Sequence, residues 1–217
     1  MKKVEELFRY LVSNLGEKIY LVGGSSRDLL LGREFFDYDF ASPYLIEDVK
    51  KVFKDADYTF KKYGIAYVKY QDVKLTLATF RKENSYVDSR HPSYIEFVDS
   101  LYLDSFRRDF TINAIYIDKD MNVIDPQNGI EDLENRIIRM IGDIPTRIKE
   151  DPLRMLRALR FSYTLNFKIE DELDRYIHQN LYLLQHINKD KITMELNKCP
   201  SYIREKIEEE IEYGIKL

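Results

Sequence analysis

The chain has 217 residues, a formal net charge of −4 and 44% hydrophobic residues. It is long enough for one domain with a helical extension, and no apolar run reaches the roughly 18 residues of a membrane span. The charge argues against nucleic-acid binding by bulk charge alone, although a local basic groove can coexist with an acidic remainder. The single cysteine, Cys199, excludes an internal disulfide, and with three scattered histidines it argues against a zinc site. One cysteine fits a reducing, cytoplasmic location.

The first predicted element is an amphipathic helix over residues 1–15. Its apolar residues recur at helical spacing, as expected for a helix that packs one face on a core. They are Val4, Leu7, Phe8, Leu11, Val12 and Leu15. The stretch lacks the apolar centre of a signal peptide, so we expect none.

Residues 19–41 predict a strand, a glycine turn, a short helix, a second turn and a second strand. The first apolar run ends at Gly23 and Gly24. Glycine lets backbone N–H groups approach an anion, and the following helix adds its positive N-terminal end. Arg27 adds a guanidinium group for phosphate oxygens. The turn therefore predicts a phosphate-binding site.

Two carboxylates follow, Asp37 and Asp39, within a predicted strand over residues 36–40. Residues two apart in a strand point to the same face, so these side chains are expected to lie together. Two carboxylates at such a short distance repel each other and normally need a cation between them. Mg²⁺ takes one or two carboxylates and completes its shell with water and substrate phosphates. The phosphate-binding turn and the carboxylate pair together predict metal-assisted nucleotidyl transfer.

The order GG-x-x-RD-x-x-x-G, then D-x-D, resembles the class II tRNA nucleotidyltransferase and bacterial poly(A) polymerase family, within the polymerase-β-like superfamily. The resemblance implies that Asp37 and Asp39 are the catalytic residues and hold Mg²⁺. It also implies that Gly23, Gly24, Arg27 and Asp28 line a triphosphate site, with Asp28 bracing the loop.

A helix over residues 46–53 and strands over 58–60, 66–70 and 73–79 come next, with a hairpin turn at Gln71 and Asp72. Alternating helices and strands followed by a meander suit a small mixed sheet with helices on one side. The superfamily commonly places a third acidic residue on the last of these strands, and the aligned position here is Thr76, a poor Mg²⁺ ligand. Three explanations stay open: a misalignment with Asp72 nearby, an enzyme with two carboxylates, or reduced activity.

Residues 81–92 are polar and without periodicity, so they are predicted to form a mobile loop. The family has a flexible loop here, which is implicated in nucleotide selection and in advancing the primer. A plain solvated loop is the other interpretation.

Residues 101–115 contain Arg107, Arg108, Asp109 and Asn113, which match the family element RRDFT-x-NA. Asp109 and Asn113 are four apart and share one face if the stretch is helical. Asp accepts from ribose hydroxyls, and Asn both donates and accepts. The resemblance implies that Arg108, Asp109 and Asn113 hold the sugar, whereas the spacing alone favours a surface salt-bridge cluster.

The next predicted elements serve as scaffolding. They are two strands within 114–124, a helix over 130–136 and a strand over 137–141.

Residues 150–161 predict a capped helix, with Asp151 as N-cap and Pro152 at the first helical position. Arginines recur there every three residues: Arg154, Arg157 and Arg160. By itself, this pattern is typical of a helix with a solvated basic face. It also resembles the family element EDxxRxxRxxRF, which reads the incoming base from protein rather than from a template. The resemblance implies that Asp151, Arg154, Arg157 and Arg160 bind the nucleotide.

An Asp151/Arg154 pair one helical turn apart suits CTP and ATP and rejects UTP and GTP. The carboxylate accepts from an exocyclic amine, and the arginine donates to a ring acceptor. Each mismatch leaves buried polar groups unpaired, at a cost of roughly 1–3 kcal/mol. Because Asp151 cannot both cap its helix fully and read a base, one of these roles is shared or wrong.

Residues from 170 onward are predicted to be helical, with segments over 191–198 and 202–213, and the last helix is acidic.

The resemblance covers about residues 19–167 and implies an α+β fold. A polymerase-β-like nucleotidyltransferase head (1–140) precedes an all-α neck (141–217). Family members are nearly twice as long, and their additional helical domains grip tRNA. Either a partner subunit, a homodimer or a smaller RNA compensates, or the sequence is a fragment.

The expected function is Mg²⁺-dependent transfer of CMP and AMP from CTP and ATP to an RNA 3′ end. CCA addition to tRNA, or its CC-only or A-only form, is the main hypothesis. Poly(A) tailing is an alternative, as is a nucleotide-binding or regulatory module with little polymerase activity that needs a partner subunit. A toxin-like transferase shares only the first motif. No membrane partner is expected.

Overall fold

In the computed structural model, residues 1–86 and 92–216 are described. Helices and strands alternate in the first part of the chain, and helices dominate the second. The first part contains α1 Lys2–Leu15, β1 Tyr20–Leu21, α2 Gly24–Leu30, β2 Tyr38–Ser42, α3 Ile46–Val52, β3 Ile65–Tyr70, β4 Val73–Thr79, β5 Arg81–Tyr86, β6 Pro92–Phe97, α4 Leu101–Ser105, β7 Tyr116–Ile117 and β8 Val123–Ile124. The second part contains α5 Gly129–Asn135, β9 Ile137–Ile138, α6 Ile144–Glu150, α7 Leu153–Leu165, β10 Lys168–Ile169, α8 Asp171–Asn180, α9 Lys189–Leu196 and α10 Ser201–Lys216.

The chain divides into two compact units. The first comprises Met1–Asn84, Tyr94–Arg108 and Ile112–Ile130, and the second includes Asp109–Thr111 and residues 131–216. The domain boundary expected at residue 140 stays a prediction.

The first unit is built on a six-stranded mixed sheet with strand order β3-β4-β2-β1-β7-β8. Strand β2 runs parallel to β4, and the other neighbouring strands are antiparallel. The predicted hairpin joins β3 to β4, and its turn residue Gln71 has a positive φ of 53°. The strands over Val73–Thr79 and most of Ile65–Tyr70 were predicted from β-branched and aromatic residues, and the structure confirms them.

The main core lies on one face of this sheet. Helix α1 contributes the predicted apolar side chains, and α3 packs beside it through Ile46 and Val49. Phe8 of α1 and Phe40 of β2 are both buried, and their rings meet edge to face with 5.1 Å between centroids. Because Phe40 points into this core, its neighbour Asp39 lies on the opposite face of the sheet.

Three local predictions were wrong. Residues 58–60 are not a strand, because Thr59 donates its N–H and hydroxyl to the Asp57 carboxylate and a turn leads into a 3₁₀ segment. Strand β2 begins at Tyr38, so the strand expected from Phe36 starts two residues later, and Phe36 is 83% exposed.

The loop predicted over 81–92 is also wrong in its first half, since Arg81–Tyr86 form strand β5, which pairs with β6. Arg81 anchors this strand: its N–H donates to Asp104 and its guanidinium group pairs with Glu83. Burial lowers the pKa of Arg81 to about 10. Residues 87–91, the centre of the expected loop, lie outside the described residues.

The second unit centres on α7, whose apolar side chains, including Met155, Leu156 and Leu159, are buried. Strands β9 and β10 form a short parallel pair, and Phe110 packs edge to face on Phe161 with 5.9 Å between ring centroids. Helix α6 was not predicted from the sequence. In the described part of the chain, no helix has both the length and the apolar character needed to cross a membrane.

Candidate active site

The glycine turn after β1 leaves a bare backbone between two charged groups. Gly23 has φ 77° and ψ −140°, a conformation that L side chains rarely adopt. A Cβ built on Gly23 would lie 3.6 Å from Asp39 Oδ2 and 3.8 Å from Arg108 Nη1. The missing side chain thus leaves a space flanked by a carboxylate and a guanidinium group.

Two serines fix the turn to the strands around it. Ser25 Oγ donates to the Asp37 carbonyl and accepts from the Asp39 N–H, each at 2.8 Å. Ser26 Oγ donates to the Ile115 carbonyl at 2.7 Å. Both serines are buried. The sequence analysis did not assign either residue, although their position directly after Gly23-Gly24 was the available signal.

The two predicted catalytic carboxylates share one cavity. Asp37 is exposed and directly precedes β2, whereas Asp39 lies within β2 and is half-buried. Both line a cavity of about 480 Å³ that opens on the face of the sheet opposite the core. Strand register sets Thr76 of β4 directly beside Asp39, and Thr76 also lines the cavity. The position expected to hold a third carboxylate is therefore next to Asp39, and a neutral side chain fills it.

Arg27 is held by protein groups on both sides. Its Nε and Nη2 donate to the two carboxylate oxygens of Asp28, each at 2.9 Å, and Nη1 donates to Asn113 Oδ1 at 2.8 Å. Arg27 is only 6% exposed. Asp28 thus holds the Arg27 side chain, and Asn113 of the later motif meets the first motif through Arg27. The bracing role of Asp28 in the loop stays a prediction.

Arg108 is oriented by a buried acid that the sequence analysis did not assign, Asp104. The Asp104 carboxylate accepts from Arg107, from Arg108 and from the Tyr116 hydroxyl, which in turn accepts from Arg108 Nε. Burial by itself would raise the pKa of Asp104, but Arg107 and Arg108 more than offset it and hold this pKa far below its ordinary value. The spacing of Asp104 to the arginines, i to i+3 and i+4, was the sequence signal.

Asp109 and Asn113 do not lie on one helical face, which corrects the conditional prediction for residues 101–115. Helix α4 ends at Ser105, and a 3₁₀ segment spans Thr111–Asn113. Asp109 belongs to the second unit, where its carboxylate accepts from Arg157 Nη1 at 2.8 Å.

Arg157 joins two of the predicted nucleotide-binding acids. Its Nη2 donates to Asp151 Oδ2 at 3.1 Å, and its Nη1 donates to Asp109. Although burial would lower the pKa of Arg157, Asp109 and Asp151 raise it above its ordinary value. The other Asp151 oxygen accepts from the Leu153 N–H at 3.2 Å, and Pro152 has helical dihedral angles. Asp151 therefore shares its carboxylate between the helix start and Arg157.

The remaining two arginines of α7 are also paired rather than solvated. Arg154 Nη1 donates to the Arg147 carbonyl and to Glu150, and Arg154 is only 4% exposed. Arg160 pairs with Glu195, and its guanidinium carbon lies 4.2 Å from the centroid of the Phe161 ring. A solvated basic face, the simpler interpretation of the spacing, does not describe this helix.

Among the described residues, no group of three or more His, Cys, Asp and Glu side chains could hold a metal ion. The donor set near Asp39 consists of two carboxylates and the Thr76 hydroxyl. Two carboxylates are the complement that Mg²⁺ takes when water and substrate phosphates complete its shell. The residues present therefore fit a magnesium site that needs a phosphate ligand.

Comparison with known proteins decides the family. Residues 19–139 match the family described as the poly A polymerase head domain. The chain belongs to this family. The CCA-adding enzyme of Geobacillus sp. (strain WCH70) is 42% identical to it over 183 residues, which are 84% of this chain and 45% of that enzyme. The chain thus spans about half the length of the relatives that it matches.

Solved structures of the family agree with the fold. The crystal structure of the Bacillus stearothermophilus CCA-adding enzyme in complex with CTP matches with a TM-score of 0.80 and 38% identity, over 91% of this chain and 47% of that one. A tRNA nucleotidyltransferase complexed with a primer tRNA and an incoming ATP analog matches with a TM-score of 0.69 and 34% identity, over 87% of this chain and 54% of that one. The predicted α+β nucleotidyltransferase head followed by a helical neck is confirmed.

Proposed function

We propose that the chain transfers CMP and AMP from CTP and ATP to the 3′ end of an RNA, as in CCA addition to tRNA. The observation that carries this proposal is the convergence of Asp39 and Arg108 on the bare backbone of Gly23. A carboxylate for a metal ion and a guanidinium group for phosphate stand there on opposite sides of a turn that a side chain would fill. Relatives named CCA-adding enzymes, and solved structures with CTP or an ATP analog, support the choice of nucleotides.

In the reaction, the 3′-hydroxyl oxygen of the RNA forms a bond to the α-phosphorus of the nucleotide. The bond from that phosphorus to the bridging oxygen breaks, and pyrophosphate leaves with its electron pair while the hydroxyl proton passes to solvent. Asp37 and Asp39 would hold Mg²⁺, which when bound neutralises phosphate oxygens and lowers the pKa of the attacking hydroxyl. Gly23 and Gly24 present backbone N–H groups to the triphosphate, and Arg108 adds a fixed positive charge.

Sugar and base recognition are assigned to the later motifs. Asn113, which already accepts from Arg27, is proposed to bind the ribose with Arg108 and Asp109. Asp151, Arg154 and Arg157 are proposed to select the base, because cytosine and adenine both place an amine next to a ring acceptor. Arg157 holds the Asp151 carboxylate in place, and this carboxylate is proposed to accept from an exocyclic amine. Arg160, paired with Glu195, is proposed to support this helix.

One observation favours a second function, a nucleotide-binding module with little transfer activity. Thr76 stands beside Asp39 where a third carboxylate would complete the metal site. A site with two carboxylates binds a metal–nucleotide complex but holds a free metal ion weakly.

The test is incorporation of each labelled nucleotide, with Mg²⁺, into tRNA that ends at the discriminator base, at C or at CC. Wild-type protein is expected to incorporate CMP and AMP but not UMP or GMP, and the accepted ends distinguish CCA, CC-only and A-only addition. Asp39→Asn should lower the rate at least ~100-fold, because loss of a mere outer-shell partner of a metal ligand already costs 10–100-fold.

Asp72→Asn is the matched control, since Asp72 is exposed on the β3–β4 turn and should leave the rate unchanged. An Asp39→Asn protein with wild-type activity would overturn the assignment of the metal ligands. Nucleotide binding by wild-type protein without incorporation into any of the three RNAs would favour the second function.

A further inference from the structure

A row of side chains crosses the open face of the sheet, starting at Asp39. Strand register places Thr76 beside Asp39, and Tyr67 of β3 beside Thr76. An isolated bridge then pairs Tyr67 with Asp57. All four residues line the same cavity of about 480 Å³. The cavity therefore extends from the proposed catalytic carboxylates across three neighbouring backbone segments.

The far end of this cavity is aromatic. Phe60 is 44% exposed, and its ring meets the half-buried Tyr67 ring edge to face, with 6.2 Å between centroids. The face of an aromatic ring stacks on any nucleobase, because every base has a π-face. Both residues line the cavity, and Phe60 is the more exposed of the two rings.

The same end carries one positive charge. Lys74 Nζ lies 4.1 Å from the centroid of the Tyr67 ring, and 3.8 Å from Asp57 Oδ2. Both side chains of this ion pair are about half exposed, so the pair contributes little to stability. Asp57 is fixed instead by Thr59, whose side-chain and backbone hydrogen bonds lower the Asp57 pKa below its ordinary value. Lys74 is thus available to a phosphate group at the cavity rim.

We propose that this face of the sheet, formed by Thr76, Tyr67, Phe60 and Lys74, binds the last nucleotide of the RNA acceptor. The base stacks on the Tyr67–Phe60 pair, and Lys74 contacts a phosphate group of the strand. Two inter-strand spacings, about 10 Å, separate Asp39 from Tyr67. That span lets a base on Tyr67 place its own 3′-hydroxyl near Asp39. The proposal rests on the proposed function and adds to it the site of the acceptor strand.

The experiment measures two Michaelis constants, for RNA and for CTP, in variants of Tyr67. Tyr67→Ala is expected to raise KM for an RNA acceptor about tenfold, in line with the loss of one base–aromatic stack, and to leave KM for CTP unchanged. Tyr67→Phe, which keeps the ring, should restore the RNA value. Tyr202→Ala is the control, because Tyr202 is an exposed tyrosine of α10 that is 60% exposed and lies in the second unit.

A second measurement separates this proposal from the proposed function. Anisotropy of a fluorescent single-stranded RNA ending in CC reports binding without any nucleotide. Weaker binding by Tyr67→Ala in a protein that transfers nothing would support the acceptor site and contradict the function. Should Tyr67→Ala not fold, Phe60→Ala gives the same test at a more exposed side chain. Equal RNA affinity in wild type and variant, equal rises of both Michaelis constants, or no RNA binding by wild type would overturn the proposal.

Discussion

At the scale of single residues, we expect the neutral Thr76 beside Asp39 to set how tightly the proposed carboxylate pair holds a divalent ion. Thr76→Asp should add a third carboxylate beside Asp37 and Asp39. We expect this change to lower the dissociation constant of Mn²⁺, followed by electron paramagnetic resonance, about tenfold, which corresponds to roughly 1.4 kcal/mol. Thr76→Asn is the control, because asparagine has the shape of aspartate but no charge. Equal Mn²⁺ affinity in all three proteins would mean that residue 76 does not face the bound ion.

At the residue scale, the sequence suggests a role where a motif carries its own chemistry, but not where packing decides. Two assignments that stay predictions, the D-x-D metal ligands and the bracing role of Asp28, follow from residue type and spacing. The dual hydrogen bonds of Ser25 do not, because they depend on β2 starting at Tyr38. The spacing of Asp104 to Arg107 and Arg108 is visible in the sequence, but its full burial is not, because burial depends on long-range packing.

At the scale of elements, α7 combines base selection, as proposed, with the packing of the second unit. Arg154→Ala is expected to raise UMP incorporation relative to CMP about tenfold, because a donor to the base is lost. It should also lower the free energy of unfolding by about 1–3 kcal/mol, since the Arg147 carbonyl and Glu150 lose a buried partner. Competition between labelled nucleotides and urea denaturation measure the two effects.

Arg139→Ala provides the matched control for that variant. Arg139 is another paired arginine of the second unit, with Asp132 and Glu170 as its partners, but it carries no proposed contact with the base. It should lower stability without changing nucleotide choice. Exclusion of UTP by the Arg154→Ala protein would place base selection elsewhere.

Element prediction was accurate for long periodic stretches and poor for short ones. Helix α1 and strand β4 appear as predicted, because each has a sustained apolar period. Helix α6 was missed, since its seven residues carry little pattern and its start is set by Asp143, whose side chain accepts from the Thr146 N–H. The polar sequence of residues 81–86 predicts a loop, whereas in the structure they form strand β5, which pairs with β6.

At the scale of the whole chain, the second unit includes three residues from the middle of the expected head, Asp109–Thr111. A fragment of residues 1–140 would therefore lose Phe161, against which the fully buried Phe110 packs, and Arg157, the partner of Asp109. We expect this fragment to melt at a lower temperature than the 217-residue chain and to bind the dye ANS.

A substitution tests whether the lost packing of Phe110 destabilises the fragment. Phe110→Ala should cost about 3–5 kcal/mol in the 217-residue chain, as for other buried phenylalanines, and far less in the fragment. Equal melting temperatures for chain and fragment would show that the boundary expected at residue 140 separates independent folding units. Sequence patterns could not reveal this arrangement, because the three residues lie inside the RRDFT-x-NA element and no change of composition sets them apart.

The buried Asp104 has a consequence for how the proposed site meets a charged ligand. Its carboxylate and the Tyr116 hydroxyl hold the Arg108 guanidinium group in one orientation before any phosphate arrives. In bulk water, dipoles must rotate to face a new charge, and that reorganisation consumes part of the interaction energy. Here the orientation is completed during folding. Asp104 and Tyr116 thus act as dipoles that are already oriented, and the proposed reaction would begin without a reorganisation step at Arg108.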